Sequence, residues 1–240
     1  MSEMDKESAQ PVTVSEWYDG FTDHQQALGV NLRHRTILRN ARRAGLRNGM
    51  RVLEIGCGIG TVTSLLAKAN TSGEILAVDI SPKSVAIARA NLKHRPNARF
   101  LVSDMVGFTS DAPFDFVVLP DVIEHIPVEQ HPALFATIAR HLAPSGRVLI
   151  NVPCPHVLEY LHAHDPSVLQ VIDQPIHANG LLRDVYAAGL VLDSFTTYGL
   201  QFDHAEYHSI VLRPAYELER LARRSRWALR WAEFRSRLPW

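Results

Sequence analysis

Between residues 51 and 153, short apolar runs alternate with stretches of helical spacing, and this alternation is what most restricts the fold. RVLEIG (51–56) reads as a strand and TVTSLLAKAN (61–70) as a helix; EILAVDI (74–80) is the next strand. In the helix after it, Ser81 can serve as N-cap and Pro82 takes the first helical position. Ala86, Ile87 and Leu92 supply its expected inner face. ARFLVSD (98–104) and FDFVVLP (114–120) are the third and fourth strands, PALFATIARHLAP (132–144) a helix and GRVLINVP (146–153) the fifth strand. The strands show no polar alternation, the pattern of a parallel sheet with helices on both faces. The prediction is an α/β fold, doubly wound around a mostly parallel sheet.

The flanks are organised differently. Residues 1–13 form a polar lead-in, and 14–45 have helical spacing that stops at Gly45. The core extends over 46–213, with an insertion at about 154–178 that holds three prolines. A helix (179–190) and two strands (190–200 and 207–213) follow, and the tail, 214–240, has helical spacing. With 240 residues, 46% of them apolar, one sizeable core is expected. Basic and acidic residues balance at 25 each, so net charge gives a nucleic-acid partner no support. Cys57 and Cys154 have no paired spacing, which argues against a disulfide framework and for a reducing cytoplasm. The N-terminus lacks the basic start and apolar stretch of a signal peptide, and no run approaches the roughly 20 apolar residues of a membrane span.

The turn after the first strand carries the chemistry. Residues 52–63 read VLEIGCGIGTVT. Glycines there let a ligand touch backbone and aim helix N–H groups at it. No lysine lies in the stretch, which removes a phosphate-cradling P-loop. The third glycine of a dinucleotide G-x-G-x-x-G falls on Thr61 or Thr63. The pattern is E-x-G-x-G-x-G instead.

That turn, followed by AVDIS ending the second strand, VSDM ending the third and FDFVVLPDVIEHIP closing the fourth, resembles the class I S-adenosylmethionine-dependent methyltransferases of the small-molecule O- and N-methylating type. The resemblance covers about residues 50–153. It implies a Rossmann-like fold with S-adenosylmethionine as cofactor. Asp79 is expected on the ribose diol and Asp104 on the adenine amino group, with Ile80 and Met105 on the two faces of the adenine. The backbone at Gly56, Cys57, Gly58 and Gly60 is expected at the methionine end, with Glu54 orienting the loop and Pro120 beside the methyl group. An N-terminal helical lid over 1–45 is implied too, with Tyr18 near the methionine end.

Ligands of open α/β sheets sit beyond the carboxyl ends of the strands, so residues 120–127 should face the transferred methyl. His125 is the candidate general base, because an ordinary imidazole accepts a proton at neutral pH. Asp121 and Glu124 suit a polar acceptor. Asn31, Arg33, His34 and Arg35 crowd a helix start, and Arg35 is taken as the acceptor contact among them. His156, next to Pro155, is a further candidate. It is one of six histidines (156, 162, 164, 177, 204 and 208), some of which are expected to line the acceptor pocket. HAEYH (204–208) holds its glutamate at the wrong offset for H-E-x-x-H, and no metal is expected. The expected reaction is methylation of a small molecule, at a hydroxyl of a sugar, an aromatic or quinone precursor or a lipid-linked metabolite. Methylation at nitrogen, or cofactor binding without transfer in a partner subunit, are the alternatives.

The tail has seven arginines against three acids, with Trp227, Trp231, Phe234 and Leu238 on one helical stripe. Such a stripe packs within the protein or in a homodimer, or lies in a membrane interface. The protein is expected in the cytoplasm, with peripheral membrane contact through this helix as an option.

Overall fold

In the computed structural model, residues 29–170, 172–217, 223 and 225–236 are described. The central sheet has seven strands: β1 (Arg51–Ile55), β2 (Glu74–Asp79), β3 (Ala98–Val102), β4 (Phe114–Pro120), β5 (Leu142–Pro153), β6 (Leu190–Tyr198) and β7 (Tyr207–Pro214). Their order is β3-β2-β1-β4-β5-β7-β6. The first five are parallel, while β7 runs antiparallel between β5 and β6. The order reverses at β1, which opens a crevice at the carboxyl ends of β1 and β4.

The helices are α1 (Leu32–Arg43), α2 (Thr61–Ala69), α3 (Pro82–Asn91), α4 (His131–His141), α5 (Pro155–His164), α6 (Ala178–Ala187) and α7 (Arg226–Ser236). Successive β1 residues point to opposite faces and are buried on both. Val52 joins Ile37 and Ala41 of α1 and Val62 and Leu66 of α2. Leu53 and Ile55 join Phe135 and Ile138 of α4 and Leu181 and Val185 of α6. Each such fully buried side chain contributes about 1.5–3 kcal/mol. This two-sided burial is why β1 and β4 read as continuous apolar runs, whereas β3, at the sheet edge, is half-buried to exposed. Among the described residues no helix is long and apolar enough to cross a membrane.

Two expectations are corrected. The inner face of α3 is Ser84, Val85 and Ala88 with Leu92, while Ala86 is exposed and Ile87 half-buried. With apolar residues all around this alanine-rich helix, its phase was not readable. The helix at 132–144 ends at His141, because Pro144 drives the residue before it out of the helical region. The insertion contains a full helix, α5. Of the predicted helix over 14–45 only α1 lies among the described residues, and Tyr18 lies outside them.

Candidate active site

The carboxyl ends of β1, β2 and β4 and the segments after β3 and β4 surround one cavity of about 980 Å³. Its floor is the glycine turn. Gly56, Gly58 and Gly60 have φ of 77, 52 and 86°, all left-handed. A Cβ on Gly56 would collide with Val122, just past β4, and one on Gly60 would lie 2.8 Å from Leu92. The first glycine therefore lets the turn fold against the β4 exit, and the last lets it fold against α3. The Val78 carbonyl accepts from both Gly56 N–H (2.8 Å) and Cys57 N–H (2.9 Å). Asp79, next in β2, accepts from Gly58 N–H with Oδ2 at 2.7 Å and from Ser81 N–H with Oδ1 at 2.9 Å. The carboxylate is thus braced between the turn and the N-terminus of α3.

After β3, Ser103 Oγ accepts from Met105 N–H at 3.0 Å and Asp104 Oδ1 from Val106 N–H at 2.9 Å. These bonds hold Met105 at φ 69°, buried, with Asp104 exposed on the cavity wall. Among the described residues the other non-glycine one with a left-handed backbone is Asp121, at φ 55°. Such a conformation costs about 1–2 kcal/mol and persists only where surroundings impose it. Asn151 of β5 imposes it. Its carbonyl accepts from Asp121 N–H at 2.9 Å, and its side-chain amide donates to Asp121 Oδ1 at 2.5 Å.

Around Asp121 lies a buried polar cluster. Arg33 Nε pairs with Asp121 Oδ2 at 3.1 Å, and Tyr198 O–H donates to Asn151 Oδ1 at 2.6 Å. A capping box aims Arg33: Asn31 Oδ1 accepts from His34 N–H, and His34 Nδ1 accepts from Asn31 N–H, both at 3.2 Å. Burial pushes the His34 imidazole down to about 4, so it keeps the lone pair this bond needs. Asp121 raises the Arg33 guanidinium. Burial pushes the Asp121 carboxyl up, although Arg33 and Asn151 pull the other way.

His125 is held from the insertion. Its Nδ1 lies 2.5 Å from the Ile172 carbonyl and 3.2 Å from Asp173 Oδ1. A carbonyl only accepts, so Nδ1 carries the hydrogen, and Nε2 is the proton-accepting nitrogen of the neutral ring. Gln174 fixes this segment, donating from N–H to the Glu124 carbonyl (3.0 Å) and from its side chain to the Ile126 carbonyl (2.9 Å). Burial pushes the His125 imidazole below its ordinary value, against the opposing pull of Ile172 and Asp173. Glu124, 3.7 Å from His125 Nε2, is raised well above the carboxyl range by burial and then by Asp121. Across the cavity, Glu54 is fully buried, and neither of its oxygens makes a hydrogen bond of ordinary geometry, although Thr63 neighbours it. Burial pushes its carboxyl up to about 8.

Most of the residues singled out from sequence therefore share one cavity: Glu54, Gly56, Cys57, Gly58, Asp79, Ile80, Asp104, Met105, Pro120, Asp121, Glu124 and His125. Gly60 sits behind the wall as N-cap of α2. Arg35 is exposed and off the wall; Arg33, two residues earlier, faces the cavity in its place. Helical phase was the signal that separates the two. His156 is also off the wall, solvent-exposed and paired with Glu159 at 3.0 Å. The other five histidines do not line the cavity either: His162 bonds the Asp173 carbonyl, His164 stacks on Tyr160 and His177 pairs with Glu159. Gln170, Asp173, Gln201, Phe202, Glu206 and Tyr207 stand in their place. Among the described residues no group of three or more His, Cys, Asp or Glu is arranged to hold a metal ion.

Comparison with known proteins agrees with this geometry. Residues 52–146 match a family described as a methyltransferase domain. Trans-aconitate 2-methyltransferase of Methylobacterium nodulans is 33% identical over 43% of this chain and 38% of its own length. Phosphoethanolamine N-methyltransferase of Triticum aestivum is 29% identical over 69% of this chain and 29% of its own. The chain thus spans well under half the length of these relatives. The N-methyltransferase NodS of Bradyrhizobium japonicum, solved with S-adenosyl-L-homocysteine, superposes with a TM-score of 0.60 at 18% identity, covering 76% of this chain and 85% of that one. The walls described above fit S-adenosylmethionine. A glycine turn too tight for side chains offers backbone, a braced carboxylate stands at the end of β2, and the unpartnered Glu54 carboxyl lines the cavity where an ammonium group can be met. With the sheet order and glycine turn of the class I S-adenosylmethionine-dependent fold, residues 52–146 form a methyltransferase domain.

Proposed function

We propose that this chain methylates a hydroxyl oxygen of a small molecule, with His125 as general base. The observation that carries the reading is the Nδ1–H bond from His125 to the Ile172 carbonyl, which leaves Nε2 as the accepting nitrogen. When bound, the cofactor supplies an electrophilic methyl on a sulfonium; the protein's part is alignment and a dry pocket. In this reading Asp79 accepts from the ribose hydroxyls and Asp104 from the adenine amino group, while Ile80 and Met105 cover the ring faces. Residues 56–60 and Glu54 take the methionine end, and Pro120 stands beside the methyl.

A hydroxyl needs to lose its proton as the new bond forms. His125 Nε2 takes that proton, and the resulting imidazolium is held through Nδ1–H by Ile172 and the Asp173 carboxylate. Glu124, kept protonated by burial, adds no negative charge beside the base. Arg33 and Asp121 hold each other as a rigid pair, so the cavity does not spend an unpaired charge on the substrate. The decisive measurement is S-adenosylhomocysteine release by wild type and His125→Gln against hydroxyl, amine and carboxylate acceptors. A carboxylate arrives without a proton and needs no base. Turnover confined to carboxylates and indifferent to His125 removes the hydroxyl reading.

One observation favours a second reading, methylation at nitrogen. With Glu124 neutral and Asp121 paired to Arg33, the carboxylate of Asp173 is a further acid facing this side of the cavity, and it favours a cationic acceptor. The phosphoethanolamine relative is named as an N-methyltransferase, which supports the same reading. The acceptor panel separates the two.

A further inference from the structure

The sheet accounts for every helix through α6, but α7 stands apart. From Arg226 to Arg235 each residue of α7 is exposed. Trp227, Trp231 and Phe234 are 75, 62 and 58% exposed, a degree at odds with three large rings on one helix. At 100° per residue they occupy one narrow arc. Arg230 and Arg226 border that arc on one side and Arg235 on the other. The surplus positive charge of the tail, seven arginines against three acids over 214–240, sits in a chain that is neutral overall.

We propose that α7 is a docking element for an anionic lipid surface, with Trp227, Trp231 and Phe234 entering the headgroup–acyl boundary and Arg226, Arg230 and Arg235 engaging lipid phosphates. Three features favour a bilayer over a second protein. The arginines stand on both borders of the ring arc, where long side chains reach headgroups while their stems cover apolar surface. Three aromatic side chains bury about 450–750 Å² in total, less than the ~800 Å² a stable protein interface takes from each partner. The charges nearest this arc, Arg230 at one border and Arg235 at the other, are both positive, with the helix's one acid, Glu233, lying beyond Arg226, which suits a diffuse negative surface.

No residue of α7 lines the cavity, so docking sets where the enzyme works without supplying a wall of its pocket.

The test uses the full chain with phosphatidylcholine–phosphatidylglycerol vesicles and with pure phosphatidylcholine vesicles, read by co-sedimentation and tryptophan emission. Wild type is expected to sediment with the anionic vesicles at low salt, to shift its emission to the blue and to be released by salt. Replacing Arg226, Arg230 and Arg235 by Gln is expected to lower the partition about a hundredfold, the ~1 kcal/mol each arginine gains near an anionic surface converted at 1.4 kcal/mol per decade. Trp227→Ser with Trp231→Ser is expected to abolish the blue shift. S-adenosylhomocysteine binding by both variants serves as the check that they are folded. Wild type left in the supernatant, equal sedimentation with both lipids, or vesicle binding untouched by either variant overturns the proposal. So does a light-scattering change from dimer to monomer in the tryptophan variant without any vesicle binding by wild type, since that makes the arc a protein interface.

Discussion

His125 and Glu54 are the two titratable groups whose surroundings make the strongest statements about activity and stability. The imidazole is pushed below its ordinary value by burial, so its accepting form persists below pH 6.5. Turnover is expected to stay level through neutral pH and to fall only on the acid side of 6.5. His125→Gln should reduce kcat by about 10²–10⁴-fold and leave S-adenosylhomocysteine affinity unchanged in calorimetry. Glu54 acts in the opposite direction. An acid whose folded value is raised to about 8 keeps its proton in the folded state after the unfolded chain has lost it. Stability therefore falls as pH rises from about 4.5 to 8, and the loss is complete above 8. Glu54→Gln should flatten the slope of Tm against pH in that window; an unchanged slope refutes the assignment. The glutamate was visible in the sequence as part of the glycine turn, but its missing partners were not. Burial and hydrogen-bond counts belong to the folded environment, and the residue was expected to bond the loop backbone. Likewise Arg33 and Arg35 are equal as letters, and only the phase of α1 around Asn31 tells which one faces Asp121.

At the level of elements, the glycine turn depends on two terms that can be separated. Gly56→Ala places a Cβ against Val122 and asks an L residue to hold φ 77°. The backbone term alone is about 1–2 kcal/mol, or a Tm loss of roughly 2–8 °C for a chain of this size. The collision adds to it. Adding Val122→Ala is expected to recover the steric part and leave the backbone part, a difference visible in paired thermal melts. Elements between 51 and 153 were readable because parallel strands buried on both faces leave long apolar runs and because Ser81–Pro82 punctuates the start of α3. The ends of α4 and the inner face of α3 were not, since each turns on a local competition between proline geometry, alanine-rich surfaces and neighbouring packing. The insertion hid its contribution most completely. Its histidines lie off the cavity wall, while the backbone carbonyl of Ile172, which has no signature in a sequence, is what orients the imidazole of His125.

For the whole molecule, the proposed cofactor contacts join parts of the chain that are far apart in sequence. Glu54, Asp79, Asp104 and Pro120 come from four neighbouring strands or the turns beyond them. S-adenosylhomocysteine at a hundred times its Kd is expected to stabilise by about 2.7 kcal/mol, which corresponds to a Tm rise of about 5–11 °C. Asp79→Ala should show almost no rise at the same concentration, and a rise equal to wild type would remove Asp79 from the ligand. The fold class was evident from strand and helix alternation alone, whereas the reversed β7 was not, because a strand's direction leaves no mark in its own composition. That reversal has a practical corollary. A strand running the usual way would deliver the connection between Tyr198 and Tyr207 to the far rim; turned around, it brings Gln201, Phe202, Glu206 and Tyr207 to the wall facing the glycine turn. Under the proposed function one hairpin tip is thus interchangeable hardware: swapping that loop for another of similar span is expected to change which acceptors are methylated while the strands around the glycine turn stay as they are.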